Sequence, residues 1–230
     1  MILAAMLIGG FLSLSQGITP QIPHLETSER VVVLDPGHGG IDGGTSGSGL
    51  VEKNVTLDLA KRVAAQLPKN VFSIYMTRTS DTDVSGLYPS TLSGRHKRDL
   101  QNRLTFVRQS RAVAVISIHI NSSVKERDRG PIVFYAVNSE SSKEFAQSMQ
   151  QALNQVARST QRPVGRKNLF LLRHSPFPAI LVEVGFITNA SDAVRLKNPA
   201  YREQVATAMA HVILLRYRHA EIPAPYQKQP

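Results

Sequence analysis

Apolar positions along the chain change their spacing in a regular order, and each spacing predicts an element. Val31–Leu34 is a short, wholly apolar run, the pattern of a strand buried on both faces. From Lys53 to Leu67, the residues Val55, Leu59, Val63 and Leu67 recur every fourth position, predicting an amphipathic helix that Pro68 ends. Phe72, Ile74 and Met76 alternate with Ser73, Tyr75 and Thr77, predicting a second strand. Residues 79–94 (TSDTDVSGLYPSTLSG) read as a loop, and Arg95–Ser110 returns to helical spacing through Leu100, Leu104 and Val107. Ala112–Asn121 (AVAVISIHIN) is the strongest strand in the sequence, and Pro131–Ala136 is another. A helix from Ser141 carries Phe145, Met149, Leu153 and Val156. Asn168–Leu172 and Ala179–Phe186 predict two more strands, and Tyr201–Tyr217 a last helix with Val205, Met209 and Val212 inward.

Strands that alternate with helices in this way predict an α/β fold. The expectation is one domain over residues 30–219, with about six strands in a largely parallel or mixed twisted sheet flanked by helices. Residues 16–29, with two prolines and no periodicity, read as a linker, and 220–230 as a tail. The apolar stretch Ile2–Leu14 is too short for a bilayer core, which takes about 20 residues. It predicts a signal peptide or N-terminal anchor over residues 1–15, with a buried first helix as the alternative. The protein is therefore expected to be exported or membrane-anchored; the resemblance given below implies the wall or the forespore intermembrane space as its place.

Charge narrows the partners. With 27 basic and 17 acidic residues the net charge is +10, which favours anionic partners such as nucleic acid, anionic lipid or an acidic wall polymer. No nucleic-acid recognition motif is present, and together with the export signal this excludes nucleic acid as the expected partner. Membrane contact is expected only through the N-terminal segment. The sequence has no cysteine, which excludes disulfides, Cys-ligated zinc and a Cys nucleophile.

The candidate chemistry starts at VVVLDPGHGG, residues 31–40, where an apolar run ends in a glycine-rich turn carrying His38. A phosphate loop does not fit. Gly39–Ser46 has the glycine spacing but Thr45 where the lysine belongs, and the dinucleotide fingerprint fails at Asp42. A metal site fits better, because sites in open α/β sheets collect at the carboxyl ends of strands. His38 follows the first strand, and the glycines after it let the chain fold back so that Glu52 meets it. His119 lies near the end of the strongest strand, where a satisfied structural histidine is the alternative. Glu183 interrupts the apolar run ILVEV, where an unpaired charge costs several kcal/mol; a structural ion pair is the alternative. Two imidazoles and a carboxylate with an open fourth position suit a catalytic zinc, and a further carboxylate can act as general base. The residues alone thus point to a zinc hydrolase of unspecified substrate. Asn54 and Asn121 adjoin the candidate ligands and could support them or touch substrate, or serve as ordinary capping and turn residues. Arg78 and Arg103 could hold substrate carboxylates or be structural.

Four motifs in order, LDPGHGGIDGG, VEKNVTLDLA, SIHINS and ILVEVGFITN, resemble the zinc-dependent N-acetylmuramoyl-L-alanine amidases, the amidase type 3 family. MTRTSDTD and RHKRDLQNRL are most similar to its germination-specific, spore-cortex subgroup. The resemblance implies a six-stranded sheet, Zn2+ held by His38, Glu52 and His119, and Glu183 as catalytic base. It implies cleavage of the muramic acid–L-alanine amide of peptidoglycan in cortex maturation (δ-lactam formation) and germination, and a lipoprotein partner in some lineages. A vegetative wall autolysin and a non-catalytic wall-binding protein are the alternatives.

Overall fold

The computed structural model describes residues 30–224. The predicted signal or anchor (1–15) and linker (16–29) lie outside the described residues, as does the end of the predicted tail. Fourteen elements follow in order: β1 (Arg30–Pro36), β2 (Ser46–Gly47), β3 (Leu50–Val51), α1 (Glu52–Gln66), β4 (Phe72–Met76), α2 (Arg95–Ser110), β5 (Ala112–Asn121), β6 (Ile132–Ala136), α3 (Glu140–Ala157), β7 (Val164–Arg166), α4 (Phe170–His174), β8 (Ala179–Phe186), α5 (Ala190–Lys197) and α6 (Pro199–Tyr217).

Six strands form one mixed sheet in the order β4-β1-β5-β8-β6-β7. β4, β1, β5 and β8 run parallel, whereas β6 is antiparallel to β8 and parallel to β7. The central strands β1, β5 and β8 are covered on both faces, which explains their near-continuous apolar sequences. One face packs Leu34, Ile116, Ile118, Ile180 and Val182 against α1, α3 and α6 through Leu59, Phe145, Met149, Met209 and Ile213. On the other face Val31, Val33, Val115 and Ala179 meet α2 and α4 through Leu104, Val107, Leu171 and Leu172. Fully burying one such Leu or Ile contributes about 1.5–3 kcal/mol, so each sandwich layer is worth many times a surface contact.

Local signals set the helix ends. Pro68 forces Leu67 into extended backbone (φ −81°, ψ 131°), and α1 stops there. Ser139 caps α3 by accepting from the Ser142 amide, and Asn198 caps α6 ahead of Pro199.

The sequence misplaced one element. Asn168–Leu172 was expected as a strand, yet Phe170–His174 is the helix α4, with Leu171 and Leu172 buried against the sheet. A five-residue apolar run carries too little periodicity to separate a strand from one helical turn. The sixth strand is instead the polar edge strand β7, only three residues long. Two further elements went unforeseen: the two-residue hairpin β2–β3 and the helix α5.

Candidate active site

Three of the four singled-out residues meet at the carboxyl edge of the parallel strands, and the fourth stands in register beside them. His38 follows β1, Glu52 opens α1, His119 lies near the end of β5, and Glu183 is in β8. Glu52 Oε1 sits 3.1 Å from His38 Nε2 and 3.0 Å from His119 Nδ1. The Ile120 amide donates to the same oxygen at 3.0 Å, and the Thr45 amide donates to Oε2 at 2.8 Å. The two imidazoles stand edge to face with centroids 5.0 Å apart. His119 and Glu183 are paired Cα to Cα across β5 and β8.

The glycine turn is shaped for this cluster. His38 itself has φ 60°, a left-handed conformation that side-chain-bearing residues adopt at a cost. A Cβ on Gly37 would collide with the His119 ring. A Cβ on Gly44, at φ +67°, would stand 2.6 Å from Glu52 Oε2 and 2.7 Å from the His38 ring. The return of the chain from His38 to Glu52 therefore needs glycine at these two points.

Electrostatics separate the two carboxylates. Burial alone would raise Glu52, but the hydrogen bonds and charges of His119 and His38 reverse this and hold it well below the usual carboxylate range. His38 is raised: burial lowers it, and contacts to Glu52 and Asp42 outweigh that. Burial pushes Glu183 up to about 7, and its Oε2 is buried without a hydrogen-bond partner. An orphaned, buried, readily protonated oxygen beside two imidazoles is what a proton acceptor and donor would look like.

His38, Glu52 and His119 offer three ligand atoms that all lie within 4.8 Å of one another, and they form a group able to hold a metal ion. Two nitrogens and one oxygen at that spacing suit zinc, which binds such atoms at about 2.0–2.2 Å.

The remaining predicted residues fall in different places. Asn54 is exposed on α1. Asn121 is half-buried and accepts from the Ser122 amide at 2.8 Å. Arg78 and Arg103 lie beneath the site, with their donors engaged by the protein. Arg78 donates to the carbonyls of Pro36, Gly37 and Lys53 at 2.8–3.0 Å. Arg103 donates to Asp35 and Asp99 at 2.6 and 2.7 Å, and to the His38 carbonyl at 2.8 Å. Both guanidiniums are therefore engaged by the protein beneath the His38 loop, in line with the structural alternative of the two readings.

Sequence reasoning missed Asp42, whose Oδ1 lies 3.1 Å from His38 Nδ1. Its spacing four residues after a candidate ligand histidine was the available signal, since such histidines usually pair their second nitrogen with a carboxylate. Also missed was an apolar recess of about 260 Å3 beside both imidazoles, walled by Leu100, Leu169, Phe170, Leu172 and Leu181.

Over residues 32–214 the chain matches the family model described as N-acetylmuramoyl-L-alanine amidase. The chain belongs to that family. The amidase is 36% identical over 191 residues to the germination-specific N-acetylmuramoyl-L-alanine amidase of Bacillus subtilis (strain 168), spanning 83% of this chain and 81% of that protein. Among solved structures it is similar to the CwlD amidase of Clostridioides difficile in complex with the GerS lipoprotein. That match has TM-score 0.75 and 27% identity, and covers 81% of this chain and 98% of that one. It is also similar to an N-acetylmuramoyl-L-alanine amidase from Clostridium difficile 630, with TM-score 0.73, 30% identity, and coverage of 85% and 100%. The expected α/β architecture, a six-stranded mixed sheet flanked by helices, is thus that of the family's solved members. The enzyme is a peptidoglycan amidase acting on the bond that the family's name specifies, between N-acetylmuramoyl and L-alanine.

Proposed function

We propose that the amidase is a zinc enzyme of the spore cortex, with Zn2+ held by His38, Glu52 and His119 and with Glu183 as its catalytic base. The observation that carries this reading is the unpartnered Glu183 Oε2 beside the His38–Glu52–His119 group. When bound, zinc supplies Lewis acidity toward the scissile carbonyl and makes water a better nucleophile. Glu183 takes one proton from the attacking water and returns it to the departing alanine nitrogen. Burial makes the Glu183 carboxyl a stronger proton acceptor than an ordinary glutamate, which suits a group that takes a proton and gives it back. Asp42 and the backbone amides of Thr45 and Ile120 hold His38 and Glu52 in place throughout. Asn54, exposed on α1, and Asn121, at the end of β5, are the further residues proposed to touch substrate or support the ligands.

The cortex assignment rests on similarity to the germination-specific relative, and a lipoprotein partner on the complex described for the clostridial neighbour. Among the described residues no helix is long and apolar enough to cross a membrane. In this reading the apolar N-terminal segment directs export or anchors the enzyme, which acts outside the cytoplasm on the wall polymer named for its relatives. The test is digestion of purified cortex and of vegetative walls, with and without chelator, read by mass spectrometry. Chelator-sensitive release of intact stem peptides, faster from cortex, is expected. Release faster from vegetative walls would reassign the enzyme as an autolysin, and cleavage inside the stem would remove the amidase assignment.

A further inference from the structure

The positive charge is not spread evenly over the two edges of the sheet. β1, β4, β5 and β8 all start at one edge, opposite the edge that carries His38, His119 and Glu183. β6 runs the other way, so it ends at this amino edge together with β7, Ala136 being paired with Arg166. The chain after α6 folds onto the same edge. There Arg30 Nε donates to the Ala220 carbonyl at 2.8 Å, and Arg111 Nε to the Pro223 carbonyl at 3.1 Å.

Nearly every strand brings a cation to the amino edge. Lys69 precedes β4, Arg30 opens β1, Arg111 precedes β5, and Arg173 lies in the last turn of α4, shortly before β8. Arg166 ends β7 and Lys167 follows it, while Arg218 caps α6 beside Arg30. Lys69, Lys167, Arg173 and Arg218 are exposed, and among the described residues they have no ion-pair partner. Acids are few there. Glu140 and Glu144 are taken by Lys143 and Arg216 at 2.9 and 2.6 Å, which leaves Glu221. The carboxyl edge, by contrast, is mixed: Asp81 pairs with Lys53 and Asp83 with Arg95, and Glu126 and Asp128 alternate with Lys125, Arg127 and Arg129.

Like charges gathered on one face repel one another and cost stability unless an anionic partner meets them. Helix dipoles account for Arg173 and Arg218, which sit at helix C-termini. They do not account for Arg166 and Lys167, which follow a strand; Arg166 lies 4.9 Å from the centroid of the Phe134 ring. Val137, 51% exposed, follows β6 at the same edge. An apolar side chain set among lysines and arginines suits a surface that rests on lipid headgroups.

We propose that the amino edge docks on an anionic phospholipid surface and turns the carboxyl edge, with its active site, away from it. The chain before Arg30 is what selects lipid among anionic partners. It leads from the apolar stretch Ile2–Leu14 through residues 15–29, which span at most about 50 Å. That tether limits distance and not orientation, because a domain of this size is only about 40 Å across. Charge sets the orientation. β1 alone is seven residues long, about 20 Å at strand rise and thus about two screening lengths at 0.1 M salt. Cations at the carboxyl edge are therefore screened from a surface that the amino edge touches. The proposal goes beyond the catalytic reading and does not depend on it.

The chain has no cysteine, so one introduced cysteine carries a fluorophore to a chosen point. Asn70→Cys marks the amino edge, and Val124→Cys, 99% exposed on the loop after β5, marks the carboxyl edge. Full-length protein is mixed with vesicles of phosphatidylcholine containing phosphatidylglycerol, or of phosphatidylcholine alone, each with a nitroxide-headgroup lipid as quencher. On the anionic vesicles the label at 70 is expected to be quenched and the label at 124 to stay bright. The variant K69Q/K167Q/R173Q/R218Q should bind anionic vesicles about 100-fold more weakly and neutral vesicles as the wild type does. Its melting temperature and its turnover of soluble N-acetylmuramoyl-tetrapeptide should be those of the wild type. K125Q/R127Q/R129Q/R158Q removes as many exposed charges from the other side and should lose less than about threefold. Quenching at 124, or at neither position, overturns the proposal whatever the variants do. Equal losses in the two variants overturn it as well, since net charge would then be the cause. If lipid-free cell walls retain the wild type but not the amino-edge variant, while anionic vesicles do not distinguish the two, the edge belongs to a wall polyanion and the proposal fails. Failure of the amidase reading looks different: the wild type would leave the soluble substrate uncut while the quenching pattern persisted.

Discussion

Glu183 and His119 are register partners on adjacent parallel strands, so their backbones stand side by side at the carboxyl edge of the sheet. Neighbouring strands are about 4.8 Å apart. The separation between the proposed base and a proposed ligand is thus set by the sheet's hydrogen-bond ladder and not by a loop. Sites carried on rigid elements keep their geometry when loops move.

Glu183→Gln keeps the shape and removes the proton acceptor. Turnover of N-acetylmuramoyl-tetrapeptide should fall about 10²–10⁴-fold, the usual worth of general acid–base catalysis, with zinc content unchanged. Metal analysis and product release measured on the same preparation check it; full activity with metal bound would remove Glu183 from the mechanism.

His119→Ala and Glu52→Gln each remove one atom of the group that could hold the metal. Both should yield purified protein with substoichiometric zinc at a concentration that saturates the wild type. Retained stoichiometric zinc in both variants would place the metal elsewhere.

The metal-free protein should show a pH dependence of stability from Glu183. Its carboxyl goes from 4.5 to about 7 on folding, because burial disfavours the charge. Between those values the folded state binds more protons than the unfolded state, so stability falls as pH rises through the window and stays lower above it. Glu183→Gln removes that loss and should stabilise metal-free protein at pH 8 by on the order of 1–3 kcal/mol. Calorimetric melting at acid and alkaline pH reads the difference; equal gains at both would rule out titration as its cause.

Asp35 should act with the opposite sign. Burial would raise it, but Arg103 and the hydroxyls of Ser117 and Thr77 hold it at about 2, below the ordinary 3.8. Its stabilising share is present above about pH 4 and is lost as pH falls toward 2. Asp35→Asn removes one of the two carboxylates that pair the buried Arg103, leaving Asp99, and should cost about 1–3 kcal/mol at neutral pH. Urea unfolding followed by circular dichroism at pH 7 and pH 3 measures both effects, and the gap between wild type and variant should narrow at the lower pH.

Gly44→Ala tests the shape of the turn. The new methyl would crowd Glu52 and His38 at a left-handed backbone position. Zinc affinity should drop about 10–100-fold, as when supporting groups of ligands are disturbed. Gly86→Ala, where an added Cβ meets nothing within 4 Å, is the control, and competition with a chelating dye is the readout.

What the sequence disclosed and what it hid have physical reasons. β1, β5 and β8 were legible because strands covered on both faces must be apolar, and that is why His119 and Glu183 stood out within them. α4 was misread because FLLRH buries Leu171 and Leu172 with only one turn to show its period. Arg78 and Arg103 looked like candidate substrate contacts because carbonyl partners, those of Pro36, Gly37 and His38, leave no mark in a sequence. Asp42 was hidden for a related reason: its approach to His38 depends on the left-handed turn at that residue.

The grip of Arg103 has a consequence for how this site can be lost. One guanidinium ties the half-buried His38 turn through its carbonyl to the buried Asp99 on α2 and Asp35 on β1. The ligand turn therefore has no independent way to fray; freeing it means separating α2 from the sheet. Turn and scaffold should open as one cooperative unit, with the Gly37 amide, bonded to the Ile118 carbonyl at 2.9 Å, exchanging hydrogen as slowly as the deepest strand amides.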